Sequence, residues 1–369
     1  MQKADLSLLK NLLAMAISIS GLSASPLFTA QFDNIVITSD DEAVNISIAV
    51  DGSQIFSQDY FTYNSLITLR NINTLIEQHM RENSLILASV TISTICDSDD
   101  PLSKSQTVIF CESLHHAADP VAFISANFLT DATSARVPSD AIVSLSAVLT
   151  PSETRSASIL ATFRSADEIL TTESALSISA DSATFAPVTF NKQISDLCPA
   201  GATLLSATFI LGDRSFTYYI DDTPIDICLA FHNRFNAPEI IPIHAVTTHK
   251  ISVDRTLANL GSYSKFYDRL VTKTFDTEAQ NLPFSLALHL EQLLSAPFVG
   301  LVATWNDIED GDISSLPEIL ITDFSSDPQP GDDELNTLKF SWRFADTRRH
   351  AISPISERIF TSPFSNQFS

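Results

Sequence analysis

The chain carries 369 residues, 44% of them hydrophobic, with 44 acidic against 21 basic side chains and a formal charge of −23. That length fits two or three domains of roughly 100–200 residues each, and the apolar content excludes a disordered polymer. A polyanion would be repelled, so the charge argues against sequence-independent nucleic-acid binding and against docking on an anionic membrane.

The first residues leave two readings open. Lys3 and Lys10 with the apolar run Leu12–Gly21, followed by Leu22-Ser23-Ala24 as a small-residue cleavage site, outline a secretory signal. Asp5 in the basic part, and Ser18 and Ser20 in the apolar run, speak against it. The preferred expectation is an uncleaved amphipathic helix over Leu6–Ile19, with Leu9, Leu12, Leu13 and Ala16 on one face. No apolar run reaches the ~18 residues of a membrane span.

From Ile35 the apolar residues alternate. Ile35 and Ile37, then Val44, Ile46, Ile48 and Val50, predict strands, and Asp51-Gly52 a type I′ hairpin. Ser65–Arg70 is strand-like, and Asn71 is the expected cap of a helix over Ile72–Arg81, with Ile72, Leu75, Ile76 and His79 or Met80 inward. Leu85–Ile95 and Gln106–Cys111 close a hairpin around Asp97–Pro101.

A similar order follows. Ala141–Leu149 reads as a strand, and Ser156–Phe163 and Ile169–Ile178 as a hairpin about Ser165–Asp167. A helical turn over Ile194–Leu197 precedes Ala202–Leu211 and Ser215–Ile220, joined at Gly212-Asp213. Aligning Val44–Ile48 with Ser158–Thr162, and Leu85–Ile92 with Leu204–Ile210, gives a duplicated sandwich.

In the third region Phe231–Pro238 reads as a polar-aromatic linker, Ile240–His249 as a strand interrupted by Pro242, and Tyr263–Phe275 as a long strand. Pro283 opens a helix ending at Leu294, striped by Leu286, Leu290, Leu293 and Leu294. Phe298–Trp305 is a strand. A last hairpin joins Glu318–Phe324 to Leu335–Phe344, with Leu338, Phe340, Trp342 and Phe344 on one face.

The expected fold is therefore mainly β: two tandem β-sandwich-like modules, each with a short helix, followed by an α+β domain with an antiparallel sheet and one flanking helix. The divisions fall at 1–29 for an N-terminal helix or arm, 30–118 and 119–228 for the modules, 229–350 for the α+β domain and 351–369 for a C-terminal arm.

No stretch carries a recognisable chemistry. Asn306–Asp312 resembles a calcium loop, but that register puts Ile308 at position 3 and Pro317 at position 12, where oxygen ligands are needed. Asp327, Asp332, Asp333 and Glu334 share their loop with prolines and a glycine, as a solvated loop does. His115 and His116 would point to opposite faces of a strand, and His232, His244 and His249 match no zinc spacing. Cys96, Cys111, Cys198 and Cys228 contain no C-x-x-C pair and are expected as free thiols, although Cys96 and Cys111 flank one hairpin loop. With only 8 glycines, phosphate-cradling loops are not expected. Catalytic residues, metal ligands and cofactors are all read as none. Arg343, Arg348 and Arg349 form a cationic end, either a subunit contact in so acidic a chain or an ordinary solvated strand end.

Phe231-x-Asn233-x-Phe235-x-x-Pro238-Glu239, the Thr247-Thr248 strand, Ile319–Asp323 and Leu338–Asp346 resemble the C-terminal part of tail-associated proteins from tailed phages and prophages of Bacteroidetes. The Asp51-Gly52 hairpin and the helix after Arg70 are similar to them too, so the likeness covers most of the chain. The resemblance implies a non-enzymatic, multi-copy tail or baseplate component, assembled in the host cytoplasm into the virion, whose partners are its own copies and neighbouring virion proteins. The alternative is a secreted β-sandwich protein binding a glycan or a cell-surface partner, which depends on residues 1–24 being a signal.

Overall fold

The computed structural model describes residues 17–346 apart from 33, 98–99, 113–118, 152, 154–155, 167, 179–182, 261–262, 309–311 and 327–335. The fold is mainly β with several antiparallel sheets and few helices. Three cores follow one another along the chain.

The first is a sandwich. Its smaller sheet is antiparallel, ordered β1 (Ser18–Ser20), β3 (Ile35–Thr38), β6 (Leu66–Leu69). Its larger sheet is ordered β2 (Leu27–Phe28), β8 (Leu102–Ile109), β7 (Leu87–Ile95), β4 (Ala43–Val50), β5 (Ser53–Phe61), with only β2 parallel to its neighbour. Ile35, Ile37, Ile67 and Leu69 of one sheet meet Val44, Ile46, Ile48, Val90 and Ile92 of the other. Helix α1 (Ile72–Glu82) adds Ile72, Ile76 and Met80, whereas Leu75, expected inward, is 41% exposed. Asn71 precedes the helix in a left-handed conformation (φ 59°) without a side-chain capping bond, so it turns the chain rather than capping it.

Two expectations change at this end. Ser18–Ser20 is a strand, not the end of a helix: Ile19 is buried opposite Ile37, where it fills the sandwich core. Residues 1–16 of the expected helix lie outside the described residues. Leu27–Phe28, also ahead of residue 30, extends the larger sheet of the same module.

The second sandwich repeats the order. Its larger sheet runs β12 (Glu168–Leu176), β11 (Ala157–Ser165), β14 (Thr203–Leu211), β15 (Arg214–Ile220), β9 (Ser134–Val137), again with only the last strand parallel. Its smaller sheet pairs β10 (Ile142–Leu149) with β13 (Ala186–Gln193). β9 to β15 thus retrace β2 to β8 strand for strand, and a 3-10 turn at Ile194–Leu197 takes the place of α1.

Burial corrects the expected alignment. The buried face of β4 is Val44, Ile46, Ile48 and Val50 and that of β11 is Ala157, Ile159, Ala161 and Phe163, one residue out of step with a pairing of Val44–Ile48 with Ser158–Thr162. Ile48 and Val50 face Ile92 and Val90 as Phe163 faces Leu204, so Leu204 matches this stretch of β7 and not Leu85. A one-residue slip exchanges the two faces of a strand, and Leu160 on the outer face blurred the alternation that marks the phase.

The C-terminal domain is a seven-stranded antiparallel sheet, ordered β17 (Pro238–Ile243), β16 (Ile227–His232), β20 (Val299–Leu301), β21 (Glu318–Ser326), β22 (Asn336–Phe344), β19 (Tyr263–Leu282), β18 (Ala245–Leu260). The expected strand Ile240–His249 is two strands, broken at His244. Leu338, Phe340, Trp342 and Phe344 are buried as one face, with Trp342 stacked on Phe275 at 4.2 Å. After α2 (Pro120–Ala126), which opens the second module, the third helix α3 (Phe284–Ser295) covers this face with Leu290, Leu293 and Leu294. Gly300 stands under Leu316, where a Cβ would lie 2.8 Å from the leucine Cβ, so β20 passes there only without a side chain.

Candidate functional site: a three-way junction, a cavity and a free arm

The segment expected as a linker, Phe231–Pro238, is the tight turn that locks the three modules together. Asn233 closes it: its Oδ1 accepts from the Phe235 and Ala237 amides (2.9 and 3.2 Å), and its Nδ2 donates to Leu129 O and Glu239 Oε2 (2.8 and 2.9 Å). Asn236, at φ 57°, donates to the carbonyls of Met80 and Leu85 in the first sandwich, both at 3.1 Å. Phe235 inserts between the sandwiches, stacking on Phe123 at 5.4 Å beside Phe28. Ile86 and Cys111 of the first module, Val148 of the second and Ala237 complete this shared core. Asn tolerates the left-handed conformation and bonds main chain locally, which is why two asparagines bracket the turn.

Beyond the turn, β17 is an edge strand carrying two prolines. The Asn233 amide bonds Ala237 O, which starts the ladder at odd-numbered residues, so Pro238 and Pro242 fall where an amide would point away from β16. Neither costs a ladder bond, and the open edge has few donors with which to recruit another strand. β10 of the second sandwich lies against it.

Between them is a cavity of about 680 Å³ whose lining includes Ser144, Tyr218, Glu239, Ile241, Leu286 and His289. His289 Nε2 meets Glu239 Oε1 at 2.6 Å, and Thr130 Oγ1 donates to the same carboxylate at 3.3 Å. Burial pushes the Glu239 carboxyl up, but the His289 charge and hydrogen bonds from His289, Asn233 and Thr130 reverse this and hold it below the usual range. Burial pushes His289 down, and the facing carboxylate more than reverses it, so its pKa is raised. The Nδ1 atom of His289 and the Ser144 hydroxyl meet no hydrogen-bond partner among the described residues. Asp131 pairs with Arg234 at 2.8 Å and accepts from Gln292 at 2.6 Å, tying the segment before β9 to α3 and to the turn. The network joins β17, the turn, α3 and the segment before β9 through side-chain hydrogen bonds and ion pairs, the arrangement of an interdomain clasp.

The third feature is an arm. β19 pairs with β22 only from Phe275 onward, so 249–260 and 263–274 pair with each other alone among the described residues. Ile251, Val253 and Leu257 share a face and are 55%, 40% and 53% exposed, facing Lys273, Val271 and Phe266 across the ribbon. Arg255 lies over the Phe266 ring at 5.2 Å. This face continues the one that buries Phe275, Thr277 and Ala279, so the core stripe runs out of the domain into solvent. Residues 249–274 hold Lys250, Arg255, Lys265, Arg269 and Lys273 against Asp254 and Asp268, a charge of 5 − 2 = +3 within a chain of −23.

The other residues considered from sequence are dispersed. Asp307 accepts from the Thr304 amide and Asp312 from the Ser314 amide, both at 2.8 Å, so these carboxylates serve their own turns. Among the described residues no group of three His, Cys, Asp or Glu is placed to hold a metal. His232 ends β16, His244 Nδ1 sits 3.1 Å from Pro224 O, and His249 is exposed. Cys96, Cys111, Cys198 and Cys228 form no disulfide among the described residues, and Cys111 and Cys228 are buried. Arg343 is exposed on β22; His115, His116, Asp327, Asp332, Asp333, Glu334, Arg348 and Arg349 lie outside the described residues. No described helix is long and apolar enough to cross a membrane. No protein-family model and no curated protein matches the chain.

Proposed function

We propose that this chain is a non-enzymatic, multi-copy structural component of an assembled particle, the tail or baseplate of a tailed phage, working against copies of itself and neighbouring particle proteins. The observation that carries the reading is the arm. A two-stranded ribbon is marginally stable in water, and this one exposes Ile251, Val253, Leu257, Phe266 and Val271. Such a feature is useful to a protein that finishes folding against a neighbour. The shared core around Phe235 supports the same reading, because it makes three modules one stiff unit on which an arm can be aimed. The resemblance to phage tail-associated proteins names the particle. Mass spectrometry of purified tailed particles tests it: peptides of this chain at several copies per particle are expected, and their absence from particles while the protein accumulates in the medium overturns the reading.

The cavity beside Glu239 favours a second reading, a secreted sandwich protein that binds a glycan there. Cleavage after Ala24 would remove β1, so that reading requires the first sandwich to hold its core without Ile19. Saturable binding on a glycan array, lost on changing cavity residues, would support it.

A further inference from the structure

We infer that the arm docks on the open edge of the second sandwich, strand β12, of a second copy of this chain, and so joins copies head to tail. The inference rests on the multi-copy reading and names the surfaces that reading needs.

β12 and β18 are both terminal strands of their sheets. A terminal strand offers a row of unpaired main-chain groups and is a template for another chain unless it is short, charged with lysine or broken by proline. β12 has none of these defences: it runs nine residues without a proline or a basic side chain. From Glu168 to Ala175 every residue is exposed, on both faces, and Ile169 and Leu170 are 63% and 43% exposed. The reason lies in the sandwich itself, whose smaller sheet has two strands against five and leaves the outermost strand overhanging.

Charge selects this pairing over the alternatives. Residues 166–176 carry Asp167, Glu168 and Glu173 and no base, a charge of −3 against +3 on the arm, where Lys250 already pairs with Asp276 and the other cations remain in excess of Asp254 and Asp268. Two arms brought together would set +3 against +3. The corresponding edge of the first sandwich, β5, has Asp59 as its one charged residue, and that carboxylate already accepts from Asn45 at 2.6 Å. Pairing β18 with β12 extends both sheets by main-chain bonds and places apolar side chains of arm and edge side by side. It also lets acidic and basic side chains meet as cross-strand neighbours. Because arm and edge are different surfaces, the contact is heterologous and builds a ring or a filament rather than a closed pair.

The test is a charge swap on the full chain, read by sedimentation velocity and light scattering. R255E/K273E and E168K/E173K should each weaken self-association by about tenfold or more, since like charges opposed across an interface are costly. Mixed in equal amounts the two should assemble again, because each supplies the surface complementary to the other's. That recovery also shows that both variants are folded. A wild-type chain that stays monomeric at high concentration overturns both the inference and the multi-copy reading. Assembly that E168K/E173K leaves intact, or a mixture that fails to recover, overturns the docking on β12 while leaving the multi-copy reading standing.

Discussion

The two sandwiches share strand order, parallel closing strand and burial phase, yet they finish one edge by different means. In the first, β3 is covered by β1, whose Ile19 completes the core. In the second, the equivalent strand β10 has no such neighbour among the described residues. Ile194 bonds Ala141 O, which sets the odd-numbered residues of β10 toward β13 and turns Ser144, Ser146 and Val148 outward. Their carbonyls accept instead from Tyr218 Oη (3.3 Å), the Leu129 amide (2.8 Å) and Arg214 Nη2 (3.0 Å). A strand's open acceptors can therefore be satisfied piecemeal by side chains and one stray amide. The consequence is positional. A strand on β10 would occupy the flank where β17 now lies, so the side-chain solution is what lets the second sandwich carry the C-terminal domain.

Arg214 is the place to break that arrangement. Its guanidinium is fully buried, bonded to Ile124 O and Val148 O and paired with Glu153. Burial pushes Glu153 up, but hydrogen bonds from Arg214 and Thr150 outweigh this and hold it below the usual carboxylate range. Arg214→Met keeps the length and removes every guanidinium bond, leaving the Ile124 and Val148 carbonyls without this donor and Glu153 without its cation, so a loss of about 3–5 kcal/mol is expected in urea unfolding. A loss under about 1 kcal/mol would mean that the edge needs no caps. In the first sandwich the matching change is Ile19→Ala, expected to cost about 2–4 kcal/mol as a core truncation. Hydrogen exchange should then quicken in β3 and β6 and leave β10 and β13 unchanged. Equal quickening in β10 would show that the two edges are not held independently.

The legible part of this fold was its alternation. Val44–Val50, the Asp51-Gly52 turn with both residues at positive φ, and the Leu338–Phe344 face are local patterns, and all appear as read. What escaped was fixed by distant partners. Ser134–Val137 is four residues held extended by β15 beside it, and Ala186–Gln193 has a proline as its second residue, Pro187, opposite Val148, where no ladder bond is needed. The turn at Asn233–Ala237 looked like a linker because its polar residues suggested solvent, whereas their hydrogen bonds go to Leu129, Met80 and Leu85, far off in sequence. The spacing of two asparagines around Phe235, just before a proline, was the signal available. The Glu239–His289 pair had none, since 50 residues and a long hairpin separate its members.

That pair supplies the smallest and most specific test of the comparison, because Glu239 also holds Thr130, next to the Leu129 amide that caps β10. His289 binds its proton more tightly in the folded chain, so its contribution is full below its ordinary value of 6.5 and is lost as pH rises through the raised pKa. Glu239 is shifted the other way, so its contribution is present above its ordinary value of 4.5 and is lost as pH falls through the depressed pKa. Together they stabilise most between 4.5 and 6.5, with a decline on the alkaline side. His289→Gln keeps a donor toward Glu239 but cannot titrate. The stability difference between wild type and this variant should shrink as pH rises above 6.5 and through the raised pKa, where the imidazolium is being lost. The β10 amides should lose protection over the same range while those of β3, covered by a strand with no titratable side chain, hold theirs. A difference that stays level across that range would mean a neutral histidine, and the clasp would then rest on hydrogen bonds alone.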